Sequence, residues 1–271
     1  MLVWINGHLM NEAEARISPM DHGLLTGDGV FESVRVSSGQ PFALDRHLSR
    51  LARSASGLGL SCPEAATLRA ACREVAAANE LVLGKLRITV TGGLAPLSSE
   101  RGDGPPTVVV AGAPLTPWPA VADVVVVPWR RNEHGAMAGI KSISYAENVR
   151  ALAEARKAGA DEAIFANTAG ALCEGTGTNV FVATLGRLLT PPLSSGCLAG
   201  VTRELLLEAG VAEEADLALE ALVDADEAFL SSTTRVVQPI RAVDGTALPA
   251  APGPLTQKAA RVMADLEGRE R

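Results

Sequence analysis

Aromatic residues are scarce in this sequence: five Phe, three Trp and a single Tyr make up 3 % of its 271 residues. Its core must therefore be built mainly from Ala, Val and Leu. The 47 % apolar content is enough for one large domain or two modest ones. No run of about 18 apolar residues occurs, so no membrane-spanning helix is expected. Residues 1–10 lack a basic stretch leading into an apolar one, which argues against secretion and for a cytoplasmic protein. Positive charge is not in surplus either. A formal net charge of -7 argues against non-specific nucleic-acid binding. The four cysteines, Cys62, Cys72, Cys173 and Cys197, form no C-x-x-C pair and have no histidine at zinc-finger spacing. They read as inert thiols in a reducing compartment, with no metal.

What is present is a mixed alternation of strand and helix signals. Leu2–Ile5 reads as a strand entering a turn at Asn6-Gly7. Val30–Val36 alternates as a strand, and Leu44, Leu48, Leu51 and Leu58 mark the apolar face of a helix over 47–56. A second helix is expected over 64–79, then a strand over 86–91. A loop rich in Gly, Pro, Ser and Arg follows from Gly92 to Pro106, and a short strand over 107–111. The three prolines within 114–119 suit a linker. This divides the chain into a small N-terminal domain (1–115), a linker (116–122) and a larger C-terminal domain (123–271). In the second half, strands are expected at 124–127, 162–166, 180–183, 228–231 and 236–240. Helices are expected at 145–158, 200–209 (closed by Gly210) and 256–267. The elements come in blocks more than in strict βαβ alternation, which suggests α+β layers within a mixed α/β chain.

Several positions could carry chemistry. Lys141, in Gly139-Ile140-Lys141-Ser142, could be a desolvated amine able to form a Schiff base, or an ordinary surface lysine. Gly200-Val201-Thr202 opens a helix, where free N–H groups can bind phosphate or simply be capped by Thr. Ser231-Ser232-Thr233-Thr234 ends a strand with four hydroxyls. The Gly-rich run Glu174–Asn179 holds one carboxylate. Each of these signals is weak alone.

Their order is more specific. The stretches DHGLLTGDGVFESVR (21–35), LDRHLSRL (44–51), AGIKSISYAEN (138–148), CEGTGTNVF (173–181), LAGVTR (198–203) and FLSSTTRVVQPI (229–240) follow one another along the chain. The set resembles the class-IV aminotransferases, the fold-type IV pyridoxal phosphate (PLP) enzymes. That group includes branched-chain, D-amino acid and (R)-amine transaminases and aminodeoxychorismate lyases. The resemblance implies a two-domain α/β fold like that of D-amino acid aminotransferase, and PLP as cofactor. It also implies at least a homodimer, with an active site between domains. Lys141 matches the Schiff-base lysine and proton shuttle. Glu174 matches the carboxylate paired with the pyridine nitrogen, Arg50 the phosphate-binding arginine, and Val201, Thr202 and Thr233 further phosphate contacts. Leu198 matches the residue packed against a ring face, and Tyr145 lies near a tyrosine that hydrogen-bonds the ring oxygen in some members.

On the substrate side, Phe31, Ser33, Arg87 and Thr234 are the expected contacts. Relatives that use a loop arginine to hold the substrate carboxylate would carry it near Leu97. Leucine there makes Arg87 the first candidate for that task and Arg101 the second. His47 reads as a structural hydrogen-bonding residue, and Arg46 as a surface charge. The reading that follows is a transaminase moving an amino group from an amino acid or amine to a 2-oxo acid, with a lean towards D-amino acids or (R)-amines. The alternatives are an aminodeoxychorismate lyase, a branched-chain L-amino acid aminotransferase and a non-catalytic PLP-binding protein.

Overall fold

A computed structural model describes residues 1–270. The chain forms two compact units. The first comprises Met1–Thr116 with Ile140–Tyr145, and the second Pro117–Gly139 with Ala146–Arg269.

The first unit contains β1 (Leu2–Ile5), β2 (His8–Asn11), α1 (His22–Thr26), β3 (Gly29–Ser37), β4 (Gln40–Pro41), α2 (Leu44–Leu58), α3 (Ala65–Ala78), β5 (Leu83–Thr91) and β6 (Val108–Pro114). Its six strands form one antiparallel sheet in the order β2-β1-β6-β5-β3-β4. Asn6 and Gly7 both take positive φ, the geometry a two-residue hairpin turn requires. Along β3 the side chains alternate between the two faces. Val30, Val34 and Val36 join Leu48, Leu51 and Ala55 of α2 and Leu68, Cys72 and Val75 of α3 in the core. The opposite face carries Phe31, Ser33 and Arg35, set across β5 from Thr89, Arg87 and Lys85.

The segment carrying Lys141 lies along the free edge of β3. Phe31 N donates to Lys141 O (3.0 Å), Ile143 N donates to Gly29 O (2.9 Å), and Ser142 bridges Val30. Gly29 is needed there, because a Cβ would fall 2.7 Å from the backbone oxygen of Val90 as well as from Ile143 Cδ1.

The second unit contains β7 (Ala122–Arg131), α4 (Ala146–Lys157), β8 (Glu162–Asn167), β9 (Leu172–Gly175), β10 (Asn179–Thr184), β11 (Arg187–Thr190), α5 (Val201–Glu208), β12 (Glu213–Glu214), β13 (Glu227–Ser232), β14 (Val236–Val243), β15 (Thr246–Ala247) and α6 (Pro254–Arg269). Its nine-stranded mixed sheet runs β12-β11-β10-β13-β14-β7-β8-β9, with β15 on β14. Parallel pairing occurs at β14–β7, β7–β8 and β11–β12. Phe181 and Phe229 stack across β10 and β13 with ring centroids 4.6 Å apart.

Several elements differ from the sequence expectation. α1 is a single turn, too short to show a period, although Asp21 caps it (Gly23 N to Oδ1, 2.8 Å) and Gly27 closes it at φ 74°. β9 lies where glycines suggested only a loop, and β11 in a stretch for which no element was expected. β7 is ten residues long rather than four. Pro128 has no N–H to give the ladder, and the β7–β8 register shifts between Val126 and Arg130.

The loop 92–106 is tied down at one carboxylate. Arg101 forks onto Asp28 with two 2.7 Å bonds and donates to the carbonyls of Leu58 (2.7 Å) and Gly59 (3.0 Å). His22 meets Asp28 through Nδ1 (2.8 Å) and Ser98 O through Nε2 (3.2 Å). Both of those partners are acceptors, so only the protonated ring satisfies both. The Asp28 hydrogen bond accordingly raises the His22 pKa, against the opposing effect of burial. The contribution of this charge is complete below the ordinary histidine value near 6.5 and is lost as pH rises through the raised one. Amide exchange across residues 94–102, corrected for intrinsic rates, should therefore accelerate over that rise. A profile unchanged by pH, or identical in His22→Gln, would remove His22 from the anchor.

Candidate active site

In the first unit the chemistry gathers around β3 and α2. Glu32 lies on the core face of β3, between Val30 and Val34, and is fully buried. Arg50 Nε and Nη2 each donate to it at 2.7 Å, and His47 Nδ1 meets Oε2 at 2.7 Å. Burial alone would raise the Glu32 pKa, but the bonds from Arg50 and His47 outweigh it and hold the carboxyl at about 2. Burial lowers the His47 pKa further than Glu32 raises it, so the ring is neutral and donates its Nδ1–H. His47 thus has the structural hydrogen bond expected of it. The acceptor, Glu32, stands beside Phe31 in the first strand motif of the family resemblance, but its pairing with His47 and Arg50 was not expected; strand alternation marks it only as facing the core. Ser54, one further turn along α2, accepts from Lys141 N at 3.2 Å.

Lys141 is half-buried, with Nζ 4.3 Å from the centroid of Phe31. Tyr145 meets the same ring edge-on, with centroids 5.5 Å apart. The Arg87 guanidinium lies over it at 3.9 Å, and Ser33 is the cross-strand neighbour of Arg87. Burial lowers the Arg87 pKa, with the Tyr145 ring nearby acting in the other sense. Among the described residues Arg87 has no carboxylate partner. Arg101, the second candidate for a carboxylate contact, is engaged by Asp28, and Leu97 is 78 % exposed.

In the second unit a different set converges. Glu174 on β9 accepts from Leu198 N through Oε2 (2.9 Å), and Arg131 Nε lies 3.2 Å from Oε1. Arg131 is itself held by Glu147 (2.6 Å) and lies over the Phe165 ring at 4.3 Å. Asn179 donates to Leu198 O (2.8 Å), so the backbone of Leu198 is fixed from both sides. Val201 and Thr202 form the first turn of α5, whose N-cap is Gly200, with no side-chain cap. A Cβ on Gly200 would fall 2.0 Å from Asn179 Oδ1. Thr233 and Thr234 occupy the half-buried turn between β13 and β14. Nearby, Ser231 Oγ and Thr178 Oγ1 are buried with no hydrogen-bond partner among the described residues. Uncapped N–H groups and orphaned hydroxyls at one end of a sheet are a donor set that fits a phosphate.

The family model for class IV amino-transferases matches residues 29–243. The chain belongs to the class IV aminotransferase family. It is 35 % identical to a D-alanine aminotransferase of Bacillus licheniformis, over 95 % of this chain and 94 % of that one. It is 31 % identical to an aminodeoxychorismate lyase of Bacillus subtilis, over 90 % and 87 %. The solved structure of a branched-chain aminotransferase from Thermoproteus uzoniensis, with norvaline, superposes with a TM-score of 0.92 at 34 % identity, covering 100 % of this chain and 96 % of that one. Family membership makes the chain a PLP-dependent transaminase or lyase with the fold-type IV architecture.

Glu32→Gln leaves the Arg50 cation buried without its counter-charge, at a cost of about 3–5 kcal/mol. In the wild type, the stability that Glu32 contributes is present above its ordinary value of 4.5 and is lost as pH falls through about 2. Over that window it amounts to about 3 kcal/mol. Urea denaturation at a series of pH values should show both the drop at pH 7 and a flatter acid limb in the variant. Equal stability at pH 7 would mean that the pair is dispensable.

Proposed function

We propose that this chain is a PLP-dependent transaminase that moves an amino group from an amino acid, or a related chiral amine, to a 2-oxo acid. The observation that carries this reading is Arg87: a cation held over Phe31 on the helix-free face of its sheet, with no acid partner among the described residues. A substrate carboxylate is the partner it lacks. Leu97 and the engagement of Arg101 by Asp28 remove the loop as an alternative source of that cation. They leave a looser carboxylate site, which supports a lean towards D-amino acids or (R)-amines.

The residues assigned to the cofactor are Lys141, Tyr145 and Arg50 in the first unit, and Glu174, Leu198, Val201, Thr202 and Thr233 in the second. Phe31, Ser33, Arg87 and Thr234 are assigned to the substrate. When bound, PLP supplies an electron sink for charge left on the carbon that loses its proton. Lys141 offers the amine that holds the cofactor and then carries that proton. Glu174, ion-paired with Arg131, would pair with the ring nitrogen. Arg50, set by its fork with Glu32, would be the arginine that meets the phosphate. Leu198, fixed through its backbone, would pack against a ring face. Because donor and acceptor use the same site in turn, the kinetics are ping-pong.

The lyase reading is supported by Ser33, whose hydroxyl stands opposite Arg87 in the strand register and could handle a proton during elimination. The two readings separate in half-reactions. Holoenzyme mixed with D-alanine, L-leucine or (R)-1-phenylethylamine should lose its visible cofactor band with at least one donor. In Arg87→Gln, the KM for the amino acids should rise at least about tenfold while that for the amine, which has no carboxylate, stays unchanged. If no amine bleaches the band and aminodeoxychorismate yields pyruvate without a 2-oxo acid, the protein is a lyase.

A homodimer completes the proposal. Ile17, Met20, Leu24, Leu25, Leu94 and Leu97 are exposed on the first unit. They are brought together where Leu94 bridges Asp21 and Ala95 N donates to Met20 O. A monomer rarely exposes so many neighbouring apolar side chains. Light scattering should give twice the 28.0 kDa chain mass, and a monomer at micromolar concentration would refute the dimer.

A further inference from the structure

Glu162 lies on β8 and is 2 % exposed, in a unit whose assigned ligands are all on other elements. It binds two loops at once. Oε1 accepts from Thr176 N (3.2 Å) and from the Thr176 hydroxyl, in the run that follows Glu174. Oε2 meets Arg235 Nη2 at 3.1 Å, in the turn that carries Thr233 and Thr234. Arg235 is buried as well. Its guanidinium lies over Trp118 at 3.9 Å and also bonds Gln238, while its backbone N donates to Ser232 Oγ (3.1 Å). Gln238 in turn donates to Pro119 O at 2.8 Å.

The turn held in this way is strained. Val236 has φ 60°, a region that β-branched residues avoid and adopt only where the surroundings impose it. Ser231, at the base of the turn, is paired in register with Asn179, the residue against which Gly200 and the start of α5 are set. One buried carboxylate therefore fixes the turn of Thr233 relative to the 175–179 run, and through Asn179 relative to the first turn of α5.

We propose that Glu162 and Arg235 are positioning residues for the cofactor phosphate, holding the Thr233 turn and the uncapped start of α5 in one anion-binding arrangement. This rests on the PLP assignment above. The pair touches no ligand and acts through the spacing of the hydroxyls and N–H groups that do. Its loss should therefore weaken recognition of the phosphate while leaving that of the pyridoxal ring intact.

The test is a fluorescence titration of apoprotein with PLP and, separately, with pyridoxal, which lacks the phosphate. The wild type should bind PLP far more tightly than pyridoxal. In Glu162→Gln, PLP affinity should fall about tenfold or more, the scale on which outer partners tune ligating side chains, with pyridoxal affinity unchanged. Arg235→Lys keeps the charge but cannot bond Glu162 and Gln238 through two nitrogens at once, and should shift the same ratio in the same direction. It supplies the comparison if the Gln variant does not fold. An unchanged PLP-to-pyridoxal ratio, whether both affinities hold or both fall together, would overturn the inference. A wild type that binds PLP no better than pyridoxal would instead overturn the phosphate assignment beneath it.

Discussion

Glu32 carries a full charge on a strand face otherwise made of valine, and that charge is tolerated only because Arg50 and His47 supply three hydrogen bonds to it. The arrangement constrains more than the carboxylate. His47, Arg50 and Ser54 follow one another at intervals of three and four residues, so they share one face of α2. Rotating or sliding the helix would separate Arg50 from Glu32 and, in the same movement, withdraw Ser54 from the backbone of Lys141. The apolar packing of Leu48, Leu51 and Ala55 gives α2 its general position. The buried ion pair selects one rotational setting within it, because an apolar contact degrades gradually with displacement and a forked ion pair does not.

The second unit uses the same device for another purpose. Its core is closed by β-branched and leucine side chains around β10, β13 and β14, with two stacked phenylalanines. Such a core specifies strand order well and the conformation of strand-end loops poorly. The loops that matter here, 175–179 and 232–236, are instead held by Glu162 with Arg235, by Asn179 and by the Glu174–Arg131 pair. Polar groups near the sheet ends do the fine positioning. Their desolvation is offset by hydrogen bonds within the unit.

The strands and helices with a clear period were legible in the sequence: β3, α2, α3, α4 and α6 begin and end within a few residues of their expected bounds. A single turn such as α1 has no period to read, and β9 was masked by glycines that serve the loop beyond it. The motifs that place the chain in its family were legible as a set. Their holders were not. Glu32, Asp28 and Glu162 are separated from their arginines by 18, 73 and 73 residues, and no local pattern announces such a pairing. Strand alternation was the one available signal for Glu32, since a carboxylate in phase with Val30 and Val34 needs a cation from the facing helix.

Arginine shows why partners have to be found before roles are given. Arg50, Arg87, Arg101, Arg131 and Arg235 look alike in sequence, each a cation in or beside a motif. Asp28 takes Arg101, Glu32 takes Arg50, Glu174 and Glu147 take Arg131, and Glu162 takes Arg235. Arg87 is the one of these five set only against aromatic rings, a contact of about 0.5–1 kcal/mol at an exposed site. An interaction of that size orients a guanidinium without competing with a carboxylate, whose charge-assisted fork is stronger. The ring therefore keeps Arg87 extended and in place, yet leaves its hydrogen-bonding edge to an incoming acid. The residue left without an acid inside its unit is the one best suited to meet an acid from outside.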